Sequence, residues 1–151
     1  MPIATKSDKI DLSSEKKTQK LALKFSKMLK LGDIVFLYGE IGVGKTTFVK
    51  YLINEFQKKN KLKITEITSP TFNLLNEYQI GKFKLNHYDL FRLKSSNEIE
   101  NLDIFDDKMS AITLIEWPQM IKKRPKNLIE IKFKYESDHQ RRSAKVKGLN
   151  Y

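Results

Sequence analysis

The 151-residue chain has no cysteine, which excludes a disulfide framework and a thiolate metal site. With no cysteine and two histidines, a zinc centre is not expected either. No apolar run approaches the roughly 20 residues that cross a bilayer. The first eight residues, Met1 to Asp8, lack the apolar core of a secretory signal. A soluble, cytoplasmic protein with no membrane association is expected. Missing too are the G-x-S-x-G elbow of serine hydrolases and the Asn-Lys-x-Asp guanine reader of GTPases. The nearest match to the latter, Asn60-Lys61-Leu62-Lys63, has no acid, and no D-x-x-G occurs. The length suits one domain and is too short for a motor or a synthetase.

Acidic residues are few. Eighteen Asp/Glu face 29 Lys/Arg, for a net charge of +11. The excess is uneven: residues 122–147 hold ten basic residues against Glu130, Glu136 and Asp138. Such a balance invites a nucleic-acid reading. It also fits a lysine-padded surface, since Lys16, Lys17, Lys20, Lys24 and Lys27 lie on one apparent helix. No aromatic-basic RNA platform is present, and charge alone decides nothing.

What stands out is Gly39-Glu40-Ile41-Gly42-Val43-Gly44-Lys45-Thr46, followed by Thr47. It meets the phosphate-loop pattern G-x-x-x-x-G-K-[ST] at every fixed position. A β-prone run, Asp33 to Tyr38, precedes it, and apolar residues at helical spacing follow it to about Gln57. Strand, glycine loop and helix are the context the motif needs. Glycines let backbone N–H groups turn inward toward phosphate oxygens, and the positive end of the next helix faces the same anion. Lys45 would reach the β- and γ-phosphates and Thr46 would hold Mg²⁺.

Around this unit the pattern predicts a first helix capped by Ser13 or Ser14 and ended by Gly32. A short strand is expected near Lys63–Ile67 and a turn at Ser69-Pro70-Thr71-Phe72. Two extended runs, Asn73–Ile80 and Lys82–Asp89, would form a hairpin about Gly81. A short helix is expected near Ser96–Leu102, capped by Ser96 or Asn97. Ala111–Ile115 reads as a strand buried on both faces, and Leu128–Tyr135 and Ser143–Leu149 as closing strands. The fold class is α/β: a P-loop NTPase-like mixed sheet with a parallel core, an antiparallel hairpin and C-terminal strands, flanked by helices. One nucleotide-binding domain would span residues 1–151.

Hydrolysis needs an acid near the metal. Glu116 ends the apolar run, where a Walker-B-type carboxylate projects toward Mg²⁺ or orients the attacking water. Asp89 sits in Asn86-His87-Tyr88-Asp89-Leu90-Phe91-Arg92, and strand alternation puts His87 and Asp89 on one face. The residues alone leave Asp89 open between a metal-side acid and a salt-bridge partner for Arg92. Ser69 and Thr71 are open between turn chemistry and a switch-like γ-phosphate sensor. Trp117-Pro118 is either a packing anchor or a partner surface.

Together, the phosphate loop, Thr68-Ser69-Pro70-Thr71-Phe72, His87-Tyr88-Asp89-Leu90-Phe91-Arg92-Leu93 and Leu114-Ile115-Glu116-Trp117-Pro118 resemble the bacterial TsaE (YjeE) ATPases in order and spacing. That family acts in tRNA threonylcarbamoyladenosine biosynthesis. The resemblance implies a small Mg²⁺-dependent ATPase with low basal activity, whose partners are TsaD and TsaB. It implies that ATP hydrolysis resets their assembly between turnovers, with tRNA contacted indirectly through the complex. It gives Lys45 and Thr46 their phosphate and Mg²⁺ roles, makes Glu116 and Asp89 the essential acids, and makes Ser69 and Thr71 the switch-like loop. Thr18 matches a position near the nucleotide base, although Ala22 stands in place of a glycine. Arg142 matches a basic residue at the start of the last strand. Phe91 stands where Tyr is usual, keeping the ring and losing a hydroxyl. Two other readings stay open: a small-molecule P-loop kinase, and a non-catalytic RNA- or nucleotide-binding module using the basic C-terminal third.

Overall fold

In the computed structural model, which describes residues 9–70, 72–105 and 110–149, the β-prone run before the glycine loop lies at the centre of a seven-stranded sheet. In chain order the elements are β1 (Ile10–Asp11), α1 (Glu15–Met28), β2 (Ile34–Tyr38), α2 (Lys45–Lys59), β3 (Leu75–Ile80), β4 (Phe83–Asp89), α3 (Ser96–Glu100), β5 (Ala111–Glu116), β6 (Leu128–Tyr135) and β7 (Arg142–Lys147). The sheet order is β1-β7-β6-β2-β5-β4-β3. β2 runs parallel to both β5 and β6, and β5 parallel to β4. The two flanks are antiparallel, β3 on β4 at one edge and β6–β7–β1 at the other. The mixed α/β class with a parallel core is as the sequence pattern implies.

Side-chain alternation divides the core into two layers. Val35 and Leu37 of β2 face α1 and α2, joining Phe25, Phe48, Leu52, Ile112, Leu114, Ile131 and Phe133. Ile34 and Phe36 face the opposite way, onto Tyr88, Leu90, Ile99, Ile104, Ile115 and Ile121. β5 is buried at all six positions, which is why it reads as an unbroken apolar run. Phe48 is the hinge of the helical layer. It meets Phe25 edge-on at 5.2 Å and Phe133 at 5.9 Å, and so ties both helices to β6.

Several boundaries differ from the sequence reading, each for a local reason. Residues 63–67 form no strand. Thr65 N–H donates to the Gln57 side chain and Thr65 C=O accepts from Asn54 Nδ2, so two α2 side chains satisfy the backbone that a ladder would have used. α1 is capped by Ser14 but ends at Met28. Gly32, with φ 94°, lies in the next turn, where its N–H donates to Ala111 C=O. α3 is capped by Ser95 and stops at Glu100. β7 begins at Arg142 and ends at Lys147, where Gly148 takes φ 95°. β1 is two residues long, too short to leave a periodic signal. Among the described residues, no helix is long and apolar enough to cross a membrane.

Because Phe48 is fully buried and joins three elements, Phe48→Ala is expected to destabilise the fold by about 3–5 kcal/mol. Urea unfolding checks this, the midpoint falling with little change in slope.

Candidate functional site

The phosphate loop joins β2 to α2 because its glycines accept conformations that other residues resist. Gly44 takes φ 118° at the N-cap of α2 and leaves that position without a side-chain cap. The first helical N–H groups have no intrahelical acceptor, so the loop presents donors at the positive end of α2. Gly39 marks a close approach: a Cβ there would lie 2.7 Å from Val43 Cγ1 and 3.0 Å from Phe133 Cβ. A side chain at Gly42 would meet the Tyr135 hydroxyl at 3.2 Å.

Parallel register brings the two acids together. Glu116 of β5 pairs with Leu37 of β2 on one side and with Asp89 of β4 on the other. Thr46, the second residue of α2, shares its hydroxyl hydrogen between Glu116 Oε1 and Oε2 at 3.1 and 3.2 Å. His87, fully buried, has Nε2 at 2.7 Å from Glu116 Oε2. Nε2–H donating to the carboxylate fixes the Glu116 rotamer. Asp89 is not paired with Arg92. Its Oδ2 accepts from Ser69 Oγ at 2.7 Å and its Oδ1 from Phe91 N–H at 3.0 Å, while Arg92 lies 5.2 Å over the Phe72 ring. Thr71 lies outside the described residues.

These groups line one cavity of about 290 Å³, with Gly42, Gly44, Lys45, Thr46, Thr47, Ser69, Asp89 and Glu116 on its polar side and Ile41, Phe91 and Trp117 on its apolar side. Lys45 is buried there and donates to Gly39 C=O. Its Nζ lies 3.7 Å from the centroid of the Trp117 ring. Burial pushes the Lys45 ammonium below its ordinary pKa, with Glu116 and Asp89 pulling the other way. Trp117 has φ 60°, a costly conformation for a bulky residue and more so before Pro118. It places the indole over Lys45 and against Phe91, with ring centroids 4.8 Å apart. Trp117 is thus a packing element of the cavity itself.

The all-oxygen set of Thr46, Glu116 and neighbouring Asp89 suits a hard divalent cation such as Mg²⁺. Among the described residues no three His, Cys, Asp or Glu side chains form a ready metal cage. Mg²⁺ in phosphate sites characteristically takes one or two protein ligands and completes its shell with water and phosphate, so the residues fit. Arg142 lies at the loop, its Nη1 3.6 Å from where a Gly44 side chain would begin. Its buried Nε makes no hydrogen bond. Thr18 is buried in α1 with its hydroxyl on Ser14 C=O, and it is not part of the cavity lining. The contacts of His87 with Glu116 and of Tyr135 with the loop were not legible in sequence. They depend on pairings between segments far apart in the chain.

Residues 12–144 match the family model described as threonylcarbamoyl adenosine biosynthesis protein TsaE. Among curated relatives, the tRNA threonylcarbamoyladenosine biosynthesis protein TsaE of Rickettsia typhi is 40% identical over 141 residues, covering 93% of this chain and 94% of its own. That of Rickettsia bellii is 43% identical over 131 residues, covering 86% and 88%. The protein of the same name from Nostoc is 34% identical over 147 residues, covering 94% and 86%. The crystal structure of Bacillus subtilis YdiB superposes with a TM-score of 0.68 over 93% of this chain and 85% of that one. At 24% identity, that likeness is one of fold.

A polyphosphate entering the loop restores a charged partner to Lys45 and raises its depressed pKa. Between the lowered and the restored value, on the alkaline side, binding is expected to take up at most about one proton, and affinity to fall as pH rises. Calorimetry in buffers of different ionisation enthalpy measures the uptake, which Lys45→Met should abolish.

Proposed function

The chain belongs to the TsaE family, and on that premise we propose that it binds ATP with Mg²⁺ and hydrolyses it, in the cytoplasm, as the ATP-driven subunit of the tRNA threonylcarbamoyladenosine machinery. The observation that carries this is the convergence of Thr46, Glu116 and Asp89 on the cavity that holds Lys45. Structural strand-end acids would have no need to meet beside a phosphate loop.

In this reading the backbone of residues 39–47 and the N-terminus of α2 cradle the phosphates. Lys45 leaves Gly39 C=O and the Trp117 face to pair with the β- and γ-phosphates. Thr46 and Glu116 are the residues that hold Mg²⁺, and His87 keeps the Glu116 carboxylate aimed. When bound, the metal neutralises charge on the phosphoryl oxygens. Asp89 orients the attacking water. Each of its oxygens accepts one bond from Ser69 or Phe91, which leaves lone pairs free. Ser69 links the γ-phosphate side to Asp89, and Thr71 enters the switch-like loop through the family resemblance alone. Arg142 adds a cation beside Gly44. Thr18 enters as a base-side residue through the family resemblance alone.

The cavity mouth supports action with partners, TsaD and TsaB. Ile41 and Phe91 are 69% and 51% exposed there, more apolar surface than a self-contained hydrolase needs. Docking over them would order the switch loop, so that hydrolysis is slow until the partners are engaged and then resets the assembly between turnovers.

Phosphate release with Mg²⁺-ATP is expected to be slow for the chain alone and to rise at least about tenfold with TsaD and TsaB. Glu116→Ala is expected to remove on the order of 100-fold or more of the stimulated rate while nucleotide binding persists. Equal rates with and without the pair would defeat the proposal. Bound nucleotide without stimulation would redirect the search to a phosphoryl acceptor, as for a small-molecule kinase.

A further inference from the structure

The sheet face that carries Ile34 and Phe36 is covered over β2, β5 and β4 by α3 and the segments around Ile104 and Ile121. Over β6 and β7 the same face is exposed among the described residues. There β6 presents Glu130, Lys132 and Lys134, and β7 presents Lys145 and Lys147; all four lysines are exposed. Lys132 lies directly opposite Lys145 in the antiparallel ladder, and Lys134 and Lys147 occupy the diagonal positions. Like charges facing each other across a ladder are destabilising. The opposite edge of the sheet avoids this, pairing Glu77 with Lys84 at 3.4 Å.

The acids nearby relieve the repulsion only in part, Glu130 acting on Lys147 and Glu136 on Lys134 through space. Glu130 sits across from Lys147, but its Oε2 is taken by the Arg124 guanidinium at 2.9 Å and the Tyr38 hydroxyl at 2.9 Å. Glu136 is bonded to Lys9 and Ser143. No ion pair within 4 Å joins any of the four lysines among the described residues. Protection of an exposed edge by lysine accounts for Lys145 and Lys147 at most. β6 is an interior strand, with β2 on its other side.

We propose that this four-lysine face of β6 and β7 binds the phosphate backbone of RNA directly, and that the RNA is tRNA. Strand geometry spaces the roots of the lysine side chains by about 6.8 Å along each strand and about 4.8 Å between strands. That array matches a run of phosphates better than the scattered carboxylates of a protein surface. Tyr38, which lies beside Lys132 and immediately precedes the phosphate loop, puts the array next to the nucleotide cavity. Choice of tRNA rests on the family membership; the contact itself does not require the ATPase reading. The family resemblance in the sequence implies only indirect contact through a complex, so this is an addition to it.

The test uses the full chain without nucleotide and a transcribed tRNA, followed by fluorescence anisotropy across a salt series. The quadruple variant K132Q/K134Q/K145Q/K147Q is expected to bind at least about tenfold more weakly at low salt, with the slope of log K against log salt shallower by about 3. The double variant K145Q/K147Q should give about half that change in slope. A control of equal net charge, K16Q/K20Q/K27Q/K30Q on and just after α1, should retain most of the wild-type affinity. Melting temperatures should not fall, since the sheet variants relieve like-charge repulsion, and ATP affinity should be unchanged, which separates this inference from the ATPase proposal. Wild-type affinity and slope in the quadruple variant would overturn it, including the case where that variant instead loses an acidic protein partner. Equal losses in the α1 control, or no tRNA binding by the wild type at low salt, would overturn it too.

Discussion

The parallel pairing of β5 between β2 and β4 is the constraint from which the site follows. β5 is buried on both faces, so it is locked in register by core packing as well as by its two ladders. A slip of one residue would turn Glu116 away from Asp89 and Thr46 and put Ile115 or Trp117 in its place. The same pairing leaves both acids at the strand ends nearest the phosphate loop. In open α/β sheets that carboxyl end is where ligands bind.

Burial costs at this site are met by neighbours poised for exchange. Lys45 is held between a carbonyl and the face of Trp117, and its ammonium is disfavoured by burial. An incoming anion therefore relieves the lysine as the lysine binds it. Trp117 holds a left-handed conformation before a proline, of order 1–3 kcal/mol in strain, offset by its contacts with Phe91 and Lys45. Glu116 is fixed from both sides, by Thr46 and by His87. A carboxylate so held has little rotamer freedom left to lose on binding a cation.

Two parts of one sheet face answer different demands. Where α3 and the segments around Ile104 and Ile121 cover it, the outward residues are apolar; over β6 and β7, where it is exposed among the described residues, they include four lysines on adjacent strands. An antiparallel flank tolerates one solvated face, but it does not require that face to carry one sign of charge. Family membership limits what such a face is for, and gives the surplus of basic residues in the C-terminal third a place in the structure.

The sequence by itself determined the local parts. The glycine loop, the strand before it and the helix after it were legible because their requirements lie within one continuous stretch, from Asp33 to about Gln57. β5 was legible because a doubly buried strand has no polar positions to interrupt it, and the hairpin because Gly81 stands between two extended runs. Glu116 and Asp89 were marked as acids at strand ends, though nothing local separated Asp89 from a salt bridge to Arg92. Only the tertiary structure decided that question, by pairing Asp89 with Ser69 across 20 residues and Glu116 with Thr46 across 70. It also turned Thr65 toward α2 in place of a ladder, set His87 behind Glu116, and aligned Lys132 with Lys145. Each of these depends on which strand lies beside which, a property of non-local pairing that neither periodicity nor spacing along one chain encodes.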